Sequence, residues 1–196
     1  MESIKIAVGA DGKGTTLKEI VAACEAGDLA AEVVLVFSSK EECTALDFAK
    51  EKGIAICTPS SGNLLSVLKN YRANLICLAG YLKLIPFEIV ATFPHAILNS
   101  HPAIDLVRFG GKGMYGTYVT EAVIKAGEKI TGSTIHFVNE KYDEGAIIMQ
   151  SRVPVLPDDT PDSLMERQLP IERKMYIEVI RQWIESGGNP TLNQRY

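Results

Sequence analysis

The sequence contains no long run of apolar residues. No segment reaches the ~18 consecutive apolar residues that a membrane-spanning helix needs, and the N-terminus lacks the apolar stretch of a signal peptide. An excess of positive charge is also missing, because 20 Lys and Arg stand against 24 Asp and Glu and the 196 residues carry a net charge of −4. This balance disfavours a nucleic-acid scaffold or a basic membrane-surface protein. We therefore expect a soluble, cytoplasmic protein, a monomer or homodimer, whose partners are small molecules rather than nucleic acid or membrane.

Patterns that bind metals are missing as well. The four cysteines have no metal-type spacing, and no His-Glu spacing accompanies the three histidines, so we expect no metal. Most of the cysteines fall in helix or strand patterns typical of a core, which predicts free thiols in a reducing compartment. The cysteines are Cys24, Cys43, Cys57 and Cys77.

The apolar residues form short strands that alternate with amphipathic helices through the first half of the chain. A strand over residues 4–8 precedes a helix that begins near Thr16, where Thr16 and Glu19 predict a capping box. Ser39 and Glu42 predict a second box. This alternation indicates a parallel sheet covered by helices on both faces. We predict an α/β fold of one domain: a Rossmann-like, doubly wound, mostly parallel sheet with flanking helices.

The second half departs from this pattern. Two β-rich stretches, 130–138 and 146–155, are joined by a polar loop, and a long helical region follows. Pro170 lies inside that region, where it has no N–H to donate and crowds the preceding turn, so we expect it to kink or divide the helix. We expect one domain over residues 1–186 and a loose C-terminal tail over 187–196.

Two glycine-rich loops are candidate binding elements. The first loop lies at the N-terminus of a predicted helix and offers free backbone N–H groups, two hydroxyls and a cation. These groups suit the binding of a single phosphate group. The alternative is a tight turn that binds no ligand. The first loop has the spacing of neither a dinucleotide fingerprint nor a Walker A loop. The second, residues 110–116, is predicted to be a lid or a solvated connector. The first loop consists of Gly12, Lys13, Gly14, Thr15 and Thr16.

Asn99 and His101 end an apolar strand and are two residues apart, so their side chains share one face. The carboxyl ends of parallel strands form the crevice in which open α/β sheets bind ligands. An amide donor beside an imidazole can stabilise the negative charge that develops during acyl transfer, and Asp143 offers a carboxylate to orient the ring. From these residues alone, the alternative is that Asn99 is a structural asparagine and His101 a surface histidine, without a catalytic role. His136 falls within a strand pattern, where a satisfied core or edge histidine is expected.

Several motifs occur together in the order seen in one known family. On these motifs the chain resembles the folate-dependent formyltransferases, in particular the branch that formylates glycinamide ribonucleotide, from about residue 4 to residue 186. The motifs are Asn99-Ser100-His101-Pro102, residues 135–138, Asp143-Glu144-Gly145, residues 78–85, residues 153–160 and Glu172.

This resemblance implies specific roles. Asn99, His101 and Asp143 would be catalytic, the loop over residues 12–16 would hold the 5′-phosphate of the acceptor, and Glu172 would contact its ribose or glycinamide end. The resemblance further implies 10-formyltetrahydrofolate as co-substrate, glycinamide ribonucleotide as acceptor, and no metal. The residues implied on the folate side are Leu82, Lys83, Leu84 and His136.

The implied reaction is direct attack of an amine on the formyl carbon. Asn99 and a protonated His101 would donate hydrogen bonds to the oxyanion, and Asp143 would raise the pKa of His101. Because several loops on the acceptor side depart from the family pattern, a different amine acceptor, hydrolysis of the formyl donor, and a non-catalytic folate- or nucleotide-binding paralogue stay open. The departing loops are residues 11–16, 60–63 and 103–110.

Overall fold

The computed structural model describes residues 3–196, and the chain divides after Leu98 into two compact units. In the first unit, strands and helices alternate as the sequence predicts, with one short 3-10 turn at Pro59–Ser61. The elements of the first unit are β1 (Ile4–Gly9), α1 (Thr15–Glu25), β2 (Ala31–Phe37), α2 (Thr44–Glu51), β3 (Ala55–Cys57), α3 (Leu64–Asn70), β4 (Leu75–Leu78) and α4 (Phe87–Thr92).

The strands of the first unit lie in the order β4-β1-β2-β3, and each neighbouring pair is parallel. All four residues of β4 are buried, as are the last four of β1. Strands that are covered on both faces lack the polar alternation of a half-exposed strand, which is why the sequence shows unbroken apolar runs here.

The helix starts in this unit differ from the predicted ones. The N-cap of α1 is Gly14, with φ 68° and no side-chain hydrogen bond, so the predicted capping box of Thr16 and Glu19 does not form. The box predicted from Ser39 is also wrong, because α2 begins only at Thr44. The apolar face of α1 is nevertheless buried as the spacing predicts, at Leu17, Ile20 and Val21.

The second unit begins inside β5 and mixes strand directions. Its sheet has the order β10-β8-β7-β5, in which β7 and β8 are antiparallel and β8 and β10 are parallel. The strands β6 and β9 form a separate antiparallel ribbon. The elements are β5 (Ile97–His101), α5 (Leu106–Phe109), α6 (Thr117–Lys125), β6 (Ile130–Thr131), β7 (Thr134–Phe137), β8 (Ile147–Gln150), β9 (Val153–Pro154), α7 (Pro161–Glu185) and β10 (Gln194–Arg195).

The long helix α7 has a strong start and is not divided. Thr160 and Ser163 exchange hydrogen bonds between side chain and backbone, and Pro161 occupies the first turn. Pro170 lies within the helix, so the expectation that it divides the helix is wrong. Buried residues on both sides of it, including Leu164 and Tyr176, offset the roughly 3 kcal/mol that an interior proline costs.

The expected loose tail needs a correction at its end. Residues 194–195 form β10 beside β8, and the Asn193 N–H donates to the Ile147 carbonyl at 3.0 Å. This strand is held by backbone hydrogen bonds and has no apolar pattern, so the sequence carries no signal for it.

The predicted α/β class, a doubly wound and mostly parallel sheet with flanking helices, is confirmed by these strand pairings. Within residues 3–196, no helix combines the length and the apolar character needed to cross a membrane. The same residues include no group of three or more His, Cys, Asp or Glu side chains placed to hold a metal ion.

Candidate active site

The carboxyl end of β5 presents two polar side chains on one face. Asn99 is half-buried, and His101 is only 4% exposed. Ser100 lies between them and points to the opposite face of the strand. The second unit gathers Asp143 and His136 around the first two side chains, so the residues form one cluster.

The ring of His101 is fixed by its hydrogen bond to a carbonyl. Nε2 lies 2.7 Å from the Phe109 carbonyl oxygen, which can only accept, so Nε2 carries the hydrogen. Phe109 is anchored at the end of α5, with its ring in an apolar cluster that includes Val119 and Leu164. Nδ1 of His101 therefore faces Asp143, whose Oδ2 is 3.4 Å away.

Asp143 is the centre of the cluster. Its φ of 55° lies in the left-handed region, which residues other than glycine rarely adopt and which Asp tolerates better than most. Oδ1 accepts a hydrogen bond from Asn99 Nδ2 at 3.2 Å, and Oδ2 accepts one from the Gly111 N–H at 2.9 Å. Both His101 and His136 approach the carboxylate to 3.4 Å. One carboxylate thus contacts four groups.

His136 and Asn99 complete each other's hydrogen bonds. Nδ1 of His136 donates to the Phe137 carbonyl at 2.7 Å, so its hydrogen is directed away from Asn99 and Nε2 faces the amide. Asn99 Nδ2 lies 3.1 Å from that Nε2. One amide hydrogen of Asn99 is directed to His136 and the other to Asp143, so a substrate oxygen must replace one of these two acceptors.

The charges of the cluster follow from burial. Burial lowers the pKa of His101 below its usual value, and the attraction of Asp143 and of the Phe109 carbonyl does not compensate. Burial raises the pKa of Asp143, but the contact with His136, the charge of His101 and the Gly111 N–H together bring it below its usual value. Asp143 does raise the pKa of His101 as expected, but the expectation of a net rise is wrong, since the cost of desolvating the charged ring exceeds the attraction of the carboxylate.

Glu172 lies on the other side of β5. It is 6% exposed, and its two oxygens accept from the Ser100 hydroxyl at 2.9 Å and the Ser133 hydroxyl at 2.8 Å. Burial raises the pKa of Glu172, although both serine hydrogen bonds lower it. Because both oxygens bind the protein itself, Glu172 does not join the cluster around Asp143, and its contact with an acceptor stays a prediction.

The glycine-rich loop, residues 12–16, joins β1 to α1 in the first unit. Gly14 has a positive φ, and a Cβ there would lie 2.9 Å from the Cβ of Ala45, so only glycine fits. Lys13 and Thr15 are exposed. The loop thus displays a cation and a hydroxyl beside the N-terminus of an eleven-residue helix, an arrangement that suits an anion.

Three of the four residues predicted for the folate side, Leu82, Lys83 and Leu84, lie in the first unit a few residues after β4, whereas His136 lies in β7 of the second unit. Leu82 and Leu84 are 40% and 41% exposed, and Lys83 between them is exposed as well. We call residues 82–84 the donor-side segment. It offers exposed apolar surface next to a cation, which suits a flat aromatic ligand with acidic groups.

One family accounts for the whole arrangement. The sequence profile of the family described as Formyl transferase matches residues 4–180. The chain belongs to the formyl transferase family. Because a single profile covers nearly the whole chain, both compact units are parts of one formyl transferase domain.

Individual members agree with this assignment. The phosphoribosylglycinamide formyltransferase (chloroplastic) of Arabidopsis thaliana is 43% identical over 187 residues, which cover 90% of this chain but 64% of that protein. The chain thus spans less than two thirds of the length of this plant relative. The phosphoribosylglycinamide formyltransferase of Haemophilus influenzae is 34% identical over 193 residues, covering 93% of this chain and 88% of that protein.

A solved structure is similar over the same length. The crystal structure of glycinamide ribonucleotide transformylase 1 from Symbiobacterium toebii aligns with a TM-score of 0.85 at 34% identity, covering 93% of this chain and 88% of that chain. Over that 93% of its length, this formyl transferase therefore has the fold of a solved relative.

Sequence reasoning missed the backbone groups of the site. The Phe109 carbonyl and the Gly111 N–H hold His101 and Asp143, and no side-chain pattern can reveal them. The cluster of glycines over residues 110–116 was the available signal. A Cβ at Gly110 would lie 3.1 Å from the Cβ of Asp143, so this part of the formyl transferase packs backbone directly against the site.

Proposed function

We propose that this formyl transferase moves the formyl group of 10-formyltetrahydrofolate to the amine of glycinamide ribonucleotide. The observation that carries the proposal is the buried cluster of Asn99, His101, His136 and Asp143, because it unites an amide donor, a carboxylate and an imidazole of fixed tautomer. The names of the relatives from Arabidopsis thaliana and Haemophilus influenzae support this reaction and this acceptor.

The first step is attack by the neutral amine on the formyl carbon. The new C–N bond forms while the formyl oxygen becomes negatively charged. Asn99 turns one N–H from His136 or Asp143 to that oxygen, the exchange for which its half-buried position leaves room. A donor of this kind contributes roughly 10²–10³ in kcat where it has been removed from other acyl-transfer sites.

The second step moves a proton. The attacking nitrogen must lose one proton, and N10 of the folate must gain one as its bond to the formyl carbon breaks. Asp143 Oδ2 and His101 Nδ1, 3.4 Å apart, form the pair that takes up and returns this proton. The products are the formylated amine and tetrahydrofolate, and no covalent enzyme intermediate forms.

The remaining residues bind the two substrates in this proposal. The glycine-rich loop holds the 5′-phosphate of the acceptor through its backbone N–H groups, the Thr15 hydroxyl and the Lys13 ammonium. The donor-side segment contacts the pterin of the folate. Glu172 serves the acceptor only if one of its two serine partners is released.

We further propose a reducing compartment such as the cytoplasm, a proposal that the free thiols of Cys24, Cys43 and Cys57 support. A monomer or homodimer is the proposed assembly, and sedimentation velocity checks it.

The test is a turnover assay that follows release of tetrahydrofolate by absorbance, with and without glycinamide ribonucleotide. We expect release that requires the acceptor and saturates with it. A second acceptor that lacks the phosphate should react with a much higher KM. Folate release at equal rates without any acceptor would indicate hydrolysis, and binding of both ligands without turnover would indicate a non-catalytic paralogue; either result contradicts the proposal.

A further inference from the structure

Asp11 ties three loops of the first unit together. Its carboxylate is 2% exposed and lies directly after β1. Oδ1 accepts from the Ser38 hydroxyl at 2.7 Å and from the Ser39 N–H at 2.7 Å. Oδ2 accepts from the Ser39 hydroxyl at 2.8 Å and from the Leu82 N–H at 2.7 Å. Each carboxylate oxygen therefore has one hydroxyl and one backbone N–H as donors.

The backbone of Asp11 strengthens the same connections. Its N–H donates to the Gly80 carbonyl at 3.1 Å, and its carbonyl accepts from Lys40 Nζ at 2.8 Å. The three loops follow β1, β2 and β4, which are neighbours in the sheet and parallel. The carboxyl ends of such strands form the edge at which α/β proteins bind ligands.

The position of Asp11 gives these contacts a consequence for binding. Asp11 immediately precedes the glycine-rich loop, and Leu82 is the first residue of the donor-side segment. We propose that Asp11 is a positioning residue that couples the glycine-rich loop to the donor-side segment, so that a ligand at either one strengthens binding at the other. The inference rests on the proposed function, which assigns the acceptor phosphate to the loop and the folate to the segment.

An asparagine cannot replace this carboxylate. The serine hydroxyls can rotate to accept, but the N–H groups of Ser39 and Leu82 can only donate. Whichever way the amide of Asp11→Asn turns, its NH₂ faces one of these two backbone donors. One orientation releases the donor-side segment at Leu82, and the other releases the loop after β2 at Ser39, so Asp11→Asn no longer holds all three loops together and the coupling is weakened.

The kinetic test varies each substrate at several fixed concentrations of the other. In the wild-type protein, the KM of each substrate should fall as the second is raised. In Asp11→Asn, the KM of both should rise about 10-fold, as expected for one lost hydrogen bond to a charged group, while kcat stays within about threefold. If Asp11→Asn only destabilised a loop, the melting temperature would fall, but the KM values would not rise while kcat stays nearly unchanged.

Asp28→Asn is the matched control, because Asp28 is exposed in the same unit and loses the same charge. Its KM values should equal those of the wild type. If Asp11→Asn does not fold, the same measurements are made on Asp11→Ser, whose single oxygen cannot serve all four donors. A rise in the KM of only one substrate, or of neither, would overturn the proposal.

A second readout is independent of turnover. Hydrogen exchange of the peptide over residues 80–84 is measured with and without inorganic phosphate. We expect phosphate to slow exchange in the wild type and in Asp28→Asn but not in Asp11→Asn. Equal responses in wild type and Asp11→Asn, or none in the wild type, overturn the coupling, whereas absence of formyl transfer with a normal exchange response contradicts only the proposed function.

Discussion

Substitution of Asp143 by asparagine is the most informative perturbation of the cluster, because it keeps the shape and removes the charge. The new NH₂ group must replace Oδ1, where it meets the donor of Asn99, or Oδ2, where it meets the donor of Gly111. We expect the second orientation, because the lone pair of His101 Nδ1 can then accept from it. The Gly111 N–H is left without its acceptor.

The structure sets the expected magnitudes. Loss of a hydrogen bond to a charged group costs roughly 1.5–3 kcal/mol, and relief from burying a carboxylate offsets part of it, so the variant should fold. The pair formed by Asp143 and His101 can no longer take up the proton of the amine, which should lower kcat by about 10²–10⁴.

The assay is kcat at saturating concentrations of both substrates, together with the free energy of unfolding in urea. Asp158→Asn is the control, since Asp158 is exposed in the same unit. The pKa of Asp143 lies below its usual 3.8, so its contribution to stability is present above that value and lost as the pH falls through the lowered pKa. The stability difference between wild type and Asp143→Asn should therefore vanish in acid. A folded Asp143→Asn with kcat within about threefold of the wild type would refute the reasoning.

Three further predictions concern the same unit. NMR titration of His101 should give a pKa below 6.5, and a still lower one in Asp143→Asn because the carboxylate attracts the proton; a value above 6.5 in the wild type contradicts the dominance of burial. Asn99→Ala should reduce kcat by about 10²–10³ with little change in melting temperature, and an unchanged kcat would exclude Asn99 as the oxyanion donor. Gly145→Ala places a Cβ 1.7 Å from the Phe137 carbonyl oxygen and should destabilise the fold by about 1–3 kcal/mol or more in urea unfolding, whereas wild-type stability would mean that the loop yields freely.

The sequence was sufficient to predict what depends on burial and on spacing along one element. The apolar strands and the buried face of α1 follow from periodicities of two and 3.6 residues, which neighbouring elements do not alter. The shared face of Asn99 and His101 follows from the same rule. The meeting of Asp143 with these two residues was predictable only through the family resemblance, because the separation along the chain is large.

What the sequence could not predict depends on distant partners. The local pattern predicts a helix cap at Ser39, but Asp11 accepts from both its N–H and its hydroxyl, and no local pattern reveals an acceptor 28 residues away. The direction of the pKa shift of His101 escapes the sequence for a similar reason. An attractive carboxylate can be read from a sequence, whereas the desolvation that outweighs it depends on the completed packing around the ring.

The most direct measurement is the fate of a ¹³C label in the formyl group of 10-formyltetrahydrofolate, followed by NMR with saturating glycinamide ribonucleotide. The account predicts that the labelled carbon appears in the formamide of the acceptor in the wild type, at a rate reduced about 10²-fold or more in Asn99→Ala. Labelled formate released in the presence of the acceptor, or label that stays on the folate, would contradict it.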